Sequence, residues 1–143
     1  MPLINSELKL TGHVTVALNG EVVQEIPNLV VASGKAYVAS RMKDTTKSAM
    51  SHMAVGTGST AAAASNTTLG SEAARVSLTS STVSSNTITY VASFAAGTGT
   101  GALTEAGLFN ASSAGDLLCR TVFPVVNKSA NDAMTITWTI TAS

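Results

Sequence analysis

The clearest structural signal in the chain is the strict alternation of apolar and threonine side chains over residues 134–141. Successive side chains of a β-strand point to opposite faces, so this alternation predicts a strand with one buried face and one hydroxyl-rich face. Trp138 is predicted to anchor the core, and the threonines are predicted to meet solvent or a partner. The apolar positions are Met134, Ile136, Trp138 and Ile140.

Residues 8–18 also alternate, and they predict a second half-buried strand. Asn19-Gly20 follows, and this dipeptide is a strong signal for a hairpin whose returning strand is residues 21–26. A two-residue loop would place two glutamates of the returning strand on the core face. A three-residue loop with a bulge places Val22 and Ile26 there instead, so we predict the longer loop.

The next segment predicts the main helix of the chain. Pro27 is predicted to end the returning strand, and Asn28 is predicted to cap a helix over about residues 29–42. This segment has one apolar stripe, and basic residues crowd its second half, where the helix dipole favours cations. A third strand through residues 29–31 is the alternative, because Ser33-Gly34 weakens a helix interior.

A short predicted strand at residues 52–55 ends at Gly56-Thr57-Gly58. This glycine pair is not followed by the Gly-Lys-Ser/Thr of a phosphate-binding loop, so the glycines predict a turn with positive φ. The Ala/Ser-rich residues 59–66 predict a long connection, and residues 69–74 predict one helical turn.

Residues 105–110 and 114–124 are two apolar runs joined by a polar Ser/Gly turn, which predicts a β-hairpin with core residues on both arms. Glu105 stands alone among apolar neighbours in the first run. It could act as a general acid, pair with Arg120 or Arg75, or cap a backbone N–H in the turn. We favour the structural roles.

Together these segments predict a mainly β fold, an antiparallel β-sandwich of jelly-roll-like type with about eight strands and one α-helix. A chain of 143 residues suits one domain, residues 1–143, in which residues 1–7 can form an extended N-terminal arm. The predicted aromatic core consists of Tyr90, Phe94, Phe109, Phe123 and Trp138.

The chain is weakly charged, with 11% charged residues and a formal net charge of zero. Phosphate binding needs a surplus of Lys and Arg, so the composition argues against a nucleic-acid partner. Serine and threonine supply about a quarter of the residues. A neutral, hydroxyl-rich surface favours self-contact or docking on a partner, and an uncharged monomeric β domain is the alternative.

The sequence shows no catalytic constellation. His13 and His52 have no ligand partners at metal-site spacing, no Gly-x-Ser-x-Gly is present, and the single Cys119 lies in an apolar run that predicts a buried thiol. We therefore expect no enzyme activity, no metal and no cofactor. The chain shows no signal-peptide pattern and no apolar run of about 18 residues, so we expect cytoplasmic synthesis and no membrane partner.

Several of these motifs follow one another in a recognisable order: HMAVGTG at residues 52–58, a small-residue tract leading to Leu69, Glu72 and Arg75, TEAGLFN at residues 104–110, and GDLL at residues 115–118. This order resembles that of small β-rich virion proteins of tailed bacteriophages. The matching region, residues 53–141, covers about two thirds of the chain. Similar proteins are capsid decoration (cement) proteins or tail-fibre and tail-collar proteins.

The resemblance implies a structural virion protein without catalytic activity. As a capsid decoration protein it would bind the outer surface of the phage head, bridge major capsid subunits and associate with its own copies as a dimer or trimer. The alternative is a tail adaptor or receptor-binding module that meets tail proteins or a host surface glycan. The expected contact elements are the edge of the N-terminal strand, for strand addition, and the small-residue loop. Their residues are Met1, Pro2, Leu3, Ile4, Leu8, Leu10, Ser59, Thr60, Asn66 and Thr67.

Overall fold

The computed structural model describes residues 8–143, which form ten β-strands and one α-helix. All strand pairs are antiparallel and lie in two five-stranded sheets within this part of the chain. The predicted mainly β, antiparallel sandwich with one helix is confirmed. The elements are β1 (Leu10–Leu18), β2 (Glu21–Pro27), β3 (Leu29–Val30), α1 (Ala32–Lys43), β4 (His52–Gly56), β5 (Glu72–Ser77), β6 (Ser80–Ser84), β7 (Thr87–Phe94), β8 (Gly101–Phe109), β9 (Leu117–Lys128) and β10 (Met134–Ala142).

Sheet A has the strand order β2-β1-β10-β7-β6, so the strongly alternating C-terminal strand lies at its centre. Trp138 of β10 is opposite Val14 on one side and Tyr90 on the other, and all three are buried. Because facing residues in an antiparallel pair share a face, the apolar positions of three strands form one continuous inner layer.

Sheet B has the strand order β3-β9-β8-β4-β5, with the predicted hairpin β8–β9 at its centre. The inner faces of the two sheets meet in the main core, to which Tyr90, Phe94, Phe123 and Trp138 belong. Phe109 is also buried, in a second cluster with Leu69, Leu117, Val31 and Ala54.

The first hairpin differs from its prediction in loop length. Asn19 and Gly20 form a two-residue turn with φ values of 51° and 83°, so the longer loop is wrong. The bulge exists, but it lies within the strands, where the register shifts between Val16 and Ala17. This shift places Ile26 opposite Val14 and against the core, while Val22 pairs with Ala17 and stays exposed. The bulge thus allows the Asn-Gly turn while Ile26 packs against the core.

The helix begins at Ala32, three residues later than the predicted start at 29, because Leu29 and Val30 pair with β9. The alternative prediction, a third strand through residues 29–31, is therefore correct for Leu29 and Val30. The N-cap is Val31 rather than Asn28, and it makes no side-chain cap hydrogen bond. The basic residues lie in the last turn as expected. Residues 72–77 form β5, so the helical turn predicted there is wrong.

Gly34 allows helix α1 to contact the backbone of β9. A Cβ at Gly34 would lie 2.0 Å from the carbonyl oxygen of Leu118. Beside it, the Ser33 hydroxyl donates a hydrogen bond of 2.9 Å to the carbonyl oxygen of Leu117. The glycine that weakens the helix in isolation is therefore required by tertiary packing.

Gly34→Ala should destabilise the protein, although alanine is the better helix former by about 1 kcal/mol. The added methyl group meets backbone that cannot move without disturbing β9, so we expect a loss of about 1–3 kcal/mol in the free energy of unfolding. Urea unfolding measures this loss. Ala36→Gly, at an exposed position of the same helix, is the control and should lose about 1 kcal/mol through propensity alone. Stabilisation by Gly34→Ala would contradict the packing argument.

Candidate functional site

The centre of sheet B holds a buried ion pair between Glu105 of β8 and Arg120 of β9. Their side chains are 0% and 2% exposed, and Arg120 Nη2 lies 2.9 Å from Glu105 Oε1. Arg120 Nε also donates a hydrogen bond of 3.0 Å to the same oxygen. A buried charge is tolerated only when it is paired and hydrogen-bonded, and this pair meets both conditions.

Three backbone amides complete the binding of the Glu105 carboxylate. The N–H groups of Gly58 and Ser71 donate to Oε2 at 2.6 and 2.7 Å, and that of Gly70 donates to Oε1 at 2.7 Å. Of the predicted partners of Glu105, Arg120 is confirmed and Arg75 is not. Glu105 also caps backbone N–H groups, but these belong to Gly58, Gly70 and Ser71 rather than to the predicted hairpin turn. We call Glu105, Arg120 and these three amides the carboxylate staple, because they fasten the start and the end of the loop over residues 57–71 to sheet B.

Glycines make the close approach to the carboxylate possible. A Cβ at Gly56 or Gly58 would lie 2.6 or 2.4 Å from Glu105 Oε2, and one at Gly70 would lie 3.2 Å from Gly58 Cα. Neither Gly56 nor Gly58 is among the residues with positive φ, so the turn predicted for this glycine pair is wrong. The pair leaves room for a carboxylate, which local sequence patterns do not reveal.

Two opposing effects set the pKa of Glu105. Burial alone would raise it, but hydrogen bonds from the amides of Ser71, Gly70 and Gly58, together with Arg120, outweigh burial and hold the pKa below its ordinary value of 4.5. The carboxylate is thus ionised and fully engaged with donors. This geometry suits structural fastening and offers no proton for general acid chemistry.

Arg75 fastens a different loop. Its guanidinium lies 3.7 Å from the ring centroid of Phe109, pairs with Glu72 at 2.8 Å and donates to the carbonyl oxygens of Ala111 and Ala114. These contacts hold the turn between β8 and β9 against β5.

The predicted contact residues of the small-residue loop have two different environments. Ser59, Thr60 and Thr67 are exposed. Asn66 is partly buried, and its Oδ1 accepts hydrogen bonds from Arg120 Nη1 at 3.1 Å and from the Ala63 amide at 2.8 Å. A polar cleft of about 410 Å³ lies between this loop and Arg120. Asn66 therefore supports the loop, while the three hydroxyl residues can meet a partner.

The N-terminal prediction is partly corrected. Leu8 is 70% exposed, whereas Leu10 packs partly against the core. Met1, Pro2, Leu3 and Ile4 lie outside the described residues. Strand β1 pairs with β10 on one side and β2 on the other, so its edges are not free for strand addition as predicted. The prediction failed because the alternation of a strand does not report its position in a sheet.

The outer face of sheet A is broad and rich in hydroxyl groups. Three of the four threonines of β10 lie beside outward-facing threonines of β1 or β7, in the rows Thr11-Thr141-Thr87, His13-Thr139-Thr89 and Thr15-Thr137-Val91, and Thr135 lies between Ala17 and Ser93. The ionisable side chains in β1 and β2 that share this face are His13 and Glu25, whose Nε2 and Oε1 atoms are 3.6 Å apart. The face therefore presents mainly hydroxyl and methyl groups.

Among residues 8–143, no cluster of three or more His, Cys, Asp or Glu residues could hold a metal ion. Cys119 is buried, and burial raises the pKa of its thiol. Helix α1, the one helix of the described region, is not long and apolar enough to cross a membrane.

A scan against protein-family models, a search of curated proteins and a search of solved structures each found no match to this chain.

Glu105→Gln should cost about 3–5 kcal/mol in the free energy of unfolding, because it leaves Arg120 buried without its counter-charge. The new amide also directs donor N–H groups toward backbone donors. Chemical denaturation at neutral pH measures the loss. Glu21→Gln removes an exposed carboxylate from β2 and should change stability by less than about 0.5 kcal/mol. Equal effects of the two substitutions would contradict the structural role of Glu105.

The stabilisation by Glu105 should also depend on pH in a defined direction. Its native pKa is lower than the ordinary value of 4.5, so the contribution is complete above that value and disappears as the pH falls through the native pKa. The stability difference between wild type and Glu105→Gln should therefore shrink on acidification below pH 4.5. Urea unfolding of both proteins across this range tests the prediction, and a constant difference would contradict it.

Proposed function

We propose that this protein is a non-enzymatic structural component of a tailed-bacteriophage virion. Its role is that of a capsid decoration protein, which binds the outside of the head and stabilises contacts between major capsid subunits. The observation that carries the proposal is the outer face of sheet A, where β10 presents four threonines and its neighbours add others.

The chemistry of this face suits an assembled shell. Hydroxyl and methyl groups can be covered by a neighbouring protein without stranding charges, whereas each buried unpaired charge would oppose binding. The half-buried threonines are held in register by the sheet, so little side-chain freedom is lost on docking. The exposed hydroxyls of Ser59, Thr60 and Thr67 provide a second contact element of similar chemistry.

The motifs on which the resemblance to virion proteins rests also contribute residues to the carboxylate staple. These motifs supply Gly58, Glu105 and the glycines around the carboxylate, and the tract between them ends at Gly70-Ser71. A shared fold would require such residues, because they determine how the long loop is fastened to sheet B. The motif residues therefore have a structural role in this chain, and the virion role is inferred from the resemblance of the motifs.

Decoration would act through mass action. A subunit that binds the assembled shell more tightly than free capsid protein shifts the equilibrium toward the shell. In this mechanism the partners are the major capsid protein and other copies of this chain, and the place of action is the capsid surface. In this mechanism the chain provides a rigid contact surface and catalyses no reaction.

A tail adaptor or receptor-binding module is the second candidate. The polar cleft between Arg120 and the loop, lined by Thr60, Asn66 and Thr67 among others, favours this role because hydroxyl and amide groups can bind a glycan. Tyr90 and Trp138 are buried, so neither provides an aromatic platform there. Hundreds of copies per virion would favour decoration, and about a dozen or fewer would favour a tail position.

The proposal is tested with purified phage capsids that lack this protein. Adding wild-type protein should produce saturable binding and raise the capsid melting temperature. Thr137→Lys, at the centre of the outer face, should weaken binding about ten-fold or more by introducing a charge into the contact. Val125→Lys is the control, at an exposed position of sheet B, and should bind as wild type.

Unchanged capsid melting and no binding by wild-type protein would overturn the decoration role. Equal loss of binding by Thr137→Lys and Val125→Lys would instead remove the outer face of sheet A as the contact surface. The melting temperature of each free variant shows whether the substitution has altered the fold.

A further inference from the structure

Strand β6 forms an open edge of sheet A. All five residues, Ser80–Ser84, are exposed, and none is charged or proline. Within residues 8–143, β6 pairs with β7 alone, so its other side presents backbone N–H and C=O groups to the exterior. Such an edge is a template for pairing with another strand.

The other strands at sheet edges carry features that oppose strand addition. Strand β2 has Glu21, Glu25, Pro27 and the register shift opposite Val16. Strand β5 bears the Glu72–Arg75 ion pair, and β3 contains only two residues. Charges, proline and bulges protect edges from pairing, so β6 differs from the other three edges of the described sheets.

Val83 adds an apolar contact to this edge. It lies opposite Ile88, on the face of sheet A that points toward the core, yet it is 70% exposed. With Leu10, Ile88 and Ile140 it lines an apolar groove of about 350 Å³ beside the edge. A strand added to β6 could therefore form backbone hydrogen bonds and also cover apolar surface, which is how edge-strand recognition combines affinity with specificity.

We propose that β6 pairs antiparallel with β6 of a second copy about a two-fold axis perpendicular to sheet A. The two sheets then join across the dimer, and Val83 lies opposite Val83 of the second copy. This contact would be the one between neighbouring copies of the protein in the virion. Its biological role therefore rests on the proposed function.

A second copy fits this edge because an antiparallel strand pair is self-complementary. Facing residues share a face, so a symmetric register places either a serine or threonine or Val83 on the axis. The register centred on Val83 covers the exposed valine of both copies and brings the two apolar grooves together. Since Ser80–Ser84 carry no charge, no like charges within the paired strands meet across the axis.

The size of the contact sets its expected strength. Five residues per strand bury less than the roughly 1,200 Å² of a standard interface, so we expect a reversible dimer with a micromolar dissociation constant. On a capsid, neighbouring copies would be held close together. The resulting high effective concentration would favour the dimer even though the buried area is small.

Sedimentation velocity of the isolated full-length chain over a concentration series up to about 0.5 mM tests the dimer. Wild type should shift reversibly from monomer to dimer. Val83→Lys should raise the dissociation constant at least ten-fold, because it places two charges opposite each other. Val22→Lys is the matched control: Val22 is 56% exposed on the opposite edge of sheet A, and this variant should dimerise as wild type.

A monomer at every concentration would overturn the proposal, as would a dimer that Val83→Lys leaves intact or that both lysine variants abolish. Site-specific cross-linking provides a second test: a short bis-maleimide should link Val83→Cys dimers and not Val22→Cys, since native Cys119 is buried. Linking at both positions or at neither would also overturn it. Because these measurements contain no capsid, their failure is distinct from failure of the decoration role, which the capsid-binding assay reports.

Discussion

The interaction on which sheet B depends is the binding of one buried carboxylate. Glu105 loses its hydration entirely, and that cost is offset by Arg120 and by three backbone amides that lie far away in sequence. Because the amides belong to Gly58, Gly70 and Ser71, the carboxylate fixes both ends of a long loop against the sheet. The loop in turn brings Leu69 into the second apolar cluster. A single ion pair with its hydrogen bonds thus replaces the apolar packing that a loop of small residues lacks.

The two sheets contribute differently to the surface. Sheet B carries the helix and the fastened loop, whereas sheet A leaves one face uncovered by the described residues and fills it with threonine. Threonine suits this position because its β-branched side chain favours strands and its hydroxyl tolerates solvent. The same side chain can also be covered by a partner at small cost. A face that is stable both in solvent and in a contact suits the proposed docking of the folded subunit on a shell.

The motifs on which the proposed virion role rests are explained by folding. The glycines of residues 56–58 leave space for the Glu105 carboxylate, and Gly107 has an added-Cβ position only 2.8 Å from Leu69. Arg120 connects the carboxylate to Asn66 in the loop. Such residues maintain the scaffold of sheet B. The open edge at β6 and the threonine face lie outside these motifs.

The sequence by itself determined the alternating strands β1 and β10, the aromatic core and the hairpin β8–β9, because period-two alternation and turn residues are local properties. It also favoured an ion pair or a cap over a general acid as the role of Glu105, since an isolated carboxylate among apolar residues needs donors. Only the tertiary structure decided which donors these are, that Gly34 serves packing, and that Leu29 and Val30 join β9 before the helix begins. It likewise placed β1 inside its sheet and β6 at an edge. These features depend on contacts between residues far apart in the chain, and the alternation of side chains along one strand carries no information about which strand lies beside it.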